Sequence, residues 1–388
     1  MISGVGLLSG LGHGAWPTFK ALLDGRSIAQ RCEQLPPHID PVDLVRQVGS
    51  VSVAQHTTDP TIEMAERAAR EALFDAGVEA EGLRCFLGTS KGAIHSLVQA
   101  AGQGDRLNPQ HACVVALGPC GHLSQQLRLR LGLGEVVHQV AACASSLTAL
   151  HQARLWLSNG AESAMGNRRS AIVLTADSTM VPMLIHSYRR LGVLAPARPQ
   201  DYRGLPLDRR RCGFMLAELA AAVVLERVDQ VGPAQIELLD TAAACEAHDL
   251  VRPSPSMPVL AAVARRILAG RRIGLLHPHA PGTPDHDAVE LAAYQRALAD
   301  SGGRWPDLYA CKGALGHGLG AAGLVSLVLA CLCARTRRRP PMPWLAQPLD
   351  SPMQIRSVPD AVSPRSPAQA VFAVGFGGHV AAALIQRR

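Results

Sequence analysis

A chain of 388 residues is longer than one ordinary domain and can bury two coupled cores. Hydrophobic residues make up 48% and charged residues 18%, which excludes a disordered binder and points to a compact globule. The formal charge of +7 favours anionic partners, but aromatics are only 4% and the arginines fall in short scattered groups, so an acidic protein is a better expectation than nucleic acid.

Short apolar strands alternate with helical patterns along the chain, which predicts an α/β fold. A helix is expected over Pro60–Ala76, followed by a glycine-rich turn, Gly88-Thr-Ser-Lys-Gly92. Next, a short apolar stretch ends in Val140-Ala-Ala-Cys-Ala-Ser-Ser146 and opens a helix over Ser146–Ser158. Buried strands are expected at Ser170–Ala176 and Ala220–Leu225, and the polar stretch Arg227–Pro233 reads as a boundary between halves. A strand at Ile273–Leu276 precedes a helix at Asp287–Ala299, whose first-turn acids suit the helix dipole. A helix over Gly320–Ala334, a surface loop at Arg337–Pro343 and a strand at Ala370–Val374 complete the chain.

The N-terminus has no charged region leading into a long apolar one, so no secretory signal is read. The ten cysteines then read mostly as small buried hydrophobes in a reducing compartment, and the cytoplasm is the expected location. The longest apolar run, Leu324–Cys333, is too short to span a bilayer, so no membrane partner is expected.

Cys143 stands out among them. A thiol at a helix start is lowered by the dipole and becomes a usable nucleophile. Two histidines follow in Gly- and Pro-rich turns, His279 in His-Pro-His-Ala-Pro-Gly-Thr-Pro and His317 in Lys-Gly-Ala-Leu-Gly-His-Gly-Leu-Gly. Imidazoles can hydrogen-bond a carbonyl oxygen or move a proton while the thiol carries a covalent intermediate. Lys312 is one of three lysines (Lys20, Lys91, Lys312) in an arginine-rich chain, which suggests that its compact charge is required.

These motifs, in this order, resemble the β-ketoacyl-acyl carrier protein synthases, condensing enzymes of the thiolase superfamily. The resemblance extends to Ile2-Ser-Gly-Val-Gly-Leu-Leu-Ser-Gly, to Pro206-Leu-Asp-Arg-Arg-Arg-Cys-Gly-Phe with Glu218, and to Val374-Gly-Phe-Gly-Gly-His. It implies a thiolase-like five-layered αβαβα fold with two pseudo-symmetric halves, residues 1–229 carrying the nucleophile and 230–388 carrying both histidines. It further implies catalytic Cys143, His279, His317 and Lys312. The backbone amides of Cys143 and Phe376 would form an oxyanion hole, Phe376 would also gate the acyl pocket, and Thr283, Gly377 and Gly378 would contact the pantetheine arm or substrate. The implied reaction is decarboxylative condensation of a malonyl thioester with an acyl group on Cys143. No metal and no cofactor are implied beyond the phosphopantetheine of an acyl carrier protein. That carrier is the implied partner, with a homodimer or a ketosynthase/chain-length-factor heterodimer as the assembly.

Departures from the family pattern are also legible. Pro281 replaces a threonine of the first histidine motif, Ser326 stands where an acid is usual, His379-Val380 replaces Thr-Asn, and Leu219 to Ala221 replace glycines. These changes suggest a specialised secondary-metabolism synthase. Three other readings compete: a hydrolase centred on Ser90 in a Gly-x-Ser-x-Gly turn, a metal site at His277, His279 and His286, and a silent partner subunit within the same fold.

Overall fold

The computed structural model describes residues 1–51, 59–103, 108–159, 170–228, 235–299, 305–358, 360–361 and 368–388. The expected boundary between residues 229 and 230 lies outside the described residues. Five principal strands precede that point: β1 (Ile2–Ser9), β2 (Arg84–Gly88), β3 (Val136–Gln139), β4 (Ser170–Asp177) and β5 (Leu219–Glu226). Five principal strands follow it: β6 (Ile236–Cys245), β7 (Ile273–His277), β8 (Asp307–Leu308), β9 (Ala368–Gly375) and β10 (His379–Arg387). The first set runs β3-β2-β4-β5-β1 and the second β8-β7-β9-β10-β6. Both sets therefore follow the order third, second, fourth, fifth, first. The directions repeat too, parallel among the first three strands of each order and antiparallel thereafter. A single pair, Ile2 with Ile236, joins the two sheets.

Six helices place these sheets in layers, α1 (Pro60–Ala76), α2 (Pro109–Leu131), α3 (Ser145–Ser158), α5 (Pro258–Leu268), α6 (Asp287–Leu298) and α7 (Ala322–Thr336), while α4 (Pro182–Arg190) packs in the cluster around Cys143. Helix α1 lies on the outer face of the first sheet with α2 against it, and α5 lies on the second sheet with α6 against it. Helices α3 and α7 pack on each other between the sheets, which gives five layers, αβαβα. The strands show why both faces must be covered. Along β4, Ala171 and Val173 face the central layer while Ile172, Leu174 and Ala176 face α1, because side chains alternate with period two.

Helix α7 is buried on every side from Ala322 to Ala334, as its all-round apolar sequence requires. The window Leu319–Thr336 is apolar and long enough to cross a membrane, but it is the core of the central layer. Helix α1 matches its expected span because its ends are encoded locally. The Asp59 carboxylate accepts from Thr61 N at 2.9 Å, Pro60 takes the first position, and Gly77 closes the helix at φ 64°.

The expectation of a surface loop at Arg337–Pro343 is corrected in part. Arg339 is 2% exposed, and its guanidinium donates to the carbonyls of Pro340, Arg356 and Val358. Those acceptors supply the hydrogen bonds without which a buried cation is costly.

Candidate active site

The chain leaves β3 at Gln139 and reaches α3 through a single 3₁₀ turn, Ala142–Ala144, with Ala142 in the left-handed region at φ 47°. Ser145 locks this turn: its hydroxyl accepts from Ala141 N at 2.8 Å and donates to Ala142 O at 2.6 Å. Cys143 is thereby held at the head of α3, buried. Burial acts against the lowering expected from the helix start. Burial pushes the Cys143 thiol up to about 12, assisted by Asp177 and opposed by Lys312 and Lys91. A helix dipole contributes about 0.3–1 kcal/mol, less than one pKa step, so it does not offset desolvation of this size.

His279 follows β7 in the loop His277-Pro-His-Ala-Pro-Gly, whose amides are tied to α6. Glu290 accepts from His279 N at 2.6 Å, Ala280 N at 2.7 Å and the Tyr294 hydroxyl at 2.6 Å. Asp287 accepts from Gly282 N at 3.0 Å and Leu207 N at 2.9 Å. The first-turn acids of α6 thus do more than suit a dipole; buried, they hold the histidine loop. Burial raises Glu290, but its hydrogen bonds, chiefly from His286, outweigh that and leave it lowered.

His317 is fixed by its own backbone, donating to Met215 O at 2.7 Å and accepting from Ala217 N at 3.2 Å, while Phe214 packs edge-on against its ring at 4.8 Å. The two imidazoles are 5.3 Å apart, and one donor atom from each of Cys143, His279 and His317 lies within 4.8 Å of the others. Lys312, 4% exposed, donates its ammonium to the His279 carbonyl. Burial and then the Lys312 charge hold both imidazoles well below their ordinary pKa, so both are neutral near pH 7. Ser326 makes no ion pair with Lys312; its hydroxyl sits 3.5 Å from the Cys311 sulfur.

Phe376 opens the loop after β9 and packs against the apolar cluster that contains Cys143. Gly377 takes φ 78° and Gly378 φ 81°, and a Cβ on Gly378 would meet Glu246 O at 1.8 Å. These glycines let the loop lie directly on the strand β6 exit, where Glu246 N donates to Gly378 O at 2.9 Å. Cys143, His279, His317, Phe376, Gly378, Thr283 and Pro281 all line one cavity of about 270 Å³. Gly377 is adjacent to that lining rather than part of it, and Lys312 stands behind the histidines.

Two competing readings separate from this site. His277 turns away, with Nε2 3.0 Å from the Gln369 Oε1 and its ring edge-on to Tyr309, so His277, His279 and His286 do not converge. The turn at Gly88–Gly92 is held by Asp177, which accepts from Thr89 Oγ1 at 2.7 Å and from the amides of Ser90 and Lys91 at 3.0 and 3.1 Å. No histidine is bonded to Ser90 among the described residues, so the turn lacks the base that a serine nucleophile needs. The sequence reading takes His286 only as a metal-ligand candidate and misses its place beside His279, where its ring lies 5.1 Å from that of His279 and 3.3 Å from the Glu290 carboxylate; it also misses Tyr188 and Asp177. The i, i+4 spacing of His286 and Glu290 was the available signal.

A buried thiol at a central-helix entrance, facing two neutral imidazoles in a doubled αβαβα fold, defines a thiolase-like enzyme of acyl transfer. The description "Beta-ketoacyl synthase, N-terminal domain" matches residues 2–230 and "Beta-ketoacyl synthase, C-terminal domain" matches residues 236–345. The chain belongs to the β-ketoacyl synthase family. It is 24% identical over 418 residues to the 3-oxoacyl-[acyl-carrier-protein] synthase 2 of Vibrio harveyi, covering 97% of this chain and 96% of that one. Among solved structures, the ishigamide ketosynthase/chain length factor aligns with a TM-score of 0.79 at 21% identity, over 100% of this chain and 98% of that one. A type II polyketide synthase ketosynthase, in complex with its acyl carrier protein and bound to a hexaketide, gives the same TM-score at 17% identity and the same coverage. By its family the chain is an acyl-transferring condensing enzyme of fatty-acid or polyketide biosynthesis.

Proposed function

We propose that the chain performs decarboxylative Claisen condensation, with Cys143 as the acyl carrier. The observation that supports this most is the mutual approach, within 4.8 Å, of Cys143 and the two neutral imidazoles. Cys143 sulfur attacks the carbonyl of an acyl thioester, its proton passes to the departing pantetheine sulfur, and an acyl-enzyme remains. Because burial holds the thiol up, that proton must leave as the S–C bond forms, and a neutral ring nitrogen nearby is the base to take it. A malonyl thioester then binds; its C–C bond to the carboxylate breaks and carbon dioxide departs. N–H groups of His279 and His317 stabilise the enolate oxygen, a role that requires them neutral and donating. The carbanion attacks the acyl carbonyl, whose oxyanion rests on the Cys143 and Phe376 amides, and the Cys143 thiolate leaves and takes up a proton. Lys312 adds to burial in keeping the imidazoles neutral, and Thr283, Gly377 and Gly378 border the arm.

The acyl carrier protein is the partner in this reading, and the reaction asks for no cofactor beyond the arm it carries. The free edge of β3, with Val140 58% exposed beside it, supports pairing with a second subunit, a copy or a ketosynthase partner, in the cytoplasm. Pro281 and Ser326 favour one alternative, a chain-length-factor-like or acyltransferase subunit of such a heterodimer.

Intact-protein mass after incubation with acyl- and malonyl-loaded carrier protein tests the reading. Wild type should gain the acyl mass and release a ketoacyl product, and Cys143→Ala should do neither. Acyl loading without carbon dioxide release would move the chain to the alternative.

A further inference from the structure

The cavity has a second group of lining residues that the proposed chemistry does not use. Ser90 and Lys91, from the turn after β2, and Tyr188, from α4, line it together with Leu191, Val193 and Phe214. The Lys91 ammonium has no ion-pair or hydrogen-bond partner among the described residues. Asp177, the carboxylate of that turn, is taken up by Thr89 Oγ1 and by the Ser90 and Lys91 amides. The Tyr188 hydroxyl also has no hydrogen-bond partner among the described residues, though its ring is 8% exposed and packs against Phe214 at 6.3 Å. The Ser90 hydroxyl is buried near Asp177 without a well-formed bond to it. Lys91 and Tyr188 both lie within electrostatic reach of the Cys143 sulfur.

A saturated alkyl chain on Cys143 would press against an ammonium and a phenol hydroxyl and supply neither with an acceptor. Desolvating unpaired polar groups in this way is unfavourable, and the cost is largest for the charged one. An acyl chain with an oxygen a few bonds from the thioester would instead accept from both. Pockets fix ligands through a few convergent polar groups in apolar walls, and this flank has that composition.

Resting on the condensing reading above, we infer that Lys91, with Tyr188, selects acyl groups that carry an oxygen acceptor, keto or carboxylate, over plain alkyl chains of the same length. The backbone amide of Lys91, not its side chain, holds the turn, so Lys91→Met preserves the Asp177 contacts.

The test measures the rate at which Cys143 gains mass from butyryl, 3-oxobutyryl and succinyl carrier-protein donors, in wild type, Lys91→Met and Tyr188→Phe. A keto thioester is intrinsically more electrophilic, so each preference is read as the ratio of wild type to Lys91→Met. We expect Lys91→Met to lower the 3-oxobutyryl-to-butyryl preference about tenfold, the size of one hydrogen bond to a charged group, and Tyr188→Phe to lower it by less. Succinyl loading ahead of 3-oxobutyryl in wild type, lost in Lys91→Met, supports the inference with carboxylate as the acceptor. An unchanged preference in Lys91→Met, while Cys143 still loads, overturns the inference and leaves the condensing reading intact. Absence of loading from every donor in wild type overturns both.

Discussion

The two central helices begin in the same way and end up doing different work. In the first half a 3₁₀ turn, Ala142–Ala144, runs into α3 at Ser145; in the second, Leu319–Ala321 runs into α7 at Ala322. Each turn opens on a non-glycine residue in the left-handed region, Ala142 at φ 47° and Leu319 at φ 48°. The turns touch each other, and Leu324 N donates to Ser146 Oγ at 3.0 Å across the junction. Cys143 therefore matches Gly320 in position, and a Cβ on Gly320 would sit 2.6 Å from the Asp177 carboxylate and 2.7 Å from Ser90 N. The second half gives up a side chain at that point and places its functional group, His317, three residues earlier. The doubled fold brings the two helix starts together, and breaking the symmetry between them makes room for a thiol facing an imidazole.

The largest expected effect comes from removing one member of that pair at a time. Cys143→Ala should abolish acyl loading. His317→Asn should still load, more slowly, because the neutral His279 ring remains within 4.8 Å to take the thiol proton, but should lower ketoacyl formation roughly 10²–10⁴-fold. Separate single-turnover measurements of loading and of carbon dioxide release read the difference. Equal loss of both steps would mean that the two helix entrances do not divide the labour as argued.

A smaller effect separates the two strained residues. Leu319 is 2% exposed within the cluster around Cys143, so Leu319→Gly gives up a packed side chain, about 2–5 kcal/mol, against a strain relief of roughly 1–2 kcal/mol. Ala142→Gly gives up one methyl group, and relief of strain about balances the entropy of glycine. Denaturant unfolding should show a loss of about 2 kcal/mol for the first and within about 0.5 kcal/mol for the second. A reversed order would show that the two turns are not under comparable strain.

What the sequence revealed depends on how local the cause is. Helix α1 carries its own start and stop at Asp59, Pro60 and Gly77 and is read at its observed limits, and strands buried on both faces, such as β4 and β5, show as apolar runs. Helix α2 is obscured by Gly118 and Pro119 inside it, and β6 by its half-buried, mixed residues. Within the site, Cys143, His279, His317 and Phe376 announce themselves through small flanking residues. Glu290, His286, Tyr188 and Arg339 do not, because each acquires its partners only when distant segments meet, as Arg339 does with Val358. The thiol's surroundings are hidden for a related reason: a helix start is visible in the sequence, whereas the depth of burial that acts against it is not.

The smallest effect tests an asymmetry in how the halves bury charge. The end of β7 places His277 in the core, 1% exposed, where the matching strand β2 ends in Gly88. Burial depresses His277 to about 4, despite its hydrogen bond to Gln369. In the unfolded chain a histidine takes a proton near pH 6.5, so between pH 6.5 and about 4 the unfolded chain binds a proton that the folded one refuses. The contribution of His277 is then fully present above pH 6.5 and fades as pH falls, by about 1 kcal/mol over the first pH step. Asp177 and Asp287, both pushed up to about 6 by burial, change stability in the opposite direction over the same range, so the net curve of the wild type mixes the two. Comparison with His277→Gln, which keeps a partner for Gln369 and cannot titrate, isolates the histidine. The stability difference between the two proteins should shift by about 1 kcal/mol in favour of His277→Gln between pH 6.5 and 5.5. Parallel curves would mean that His277 takes its proton as readily in the folded chain as in the unfolded one, and that the second half does not hold this imidazole neutral by burial.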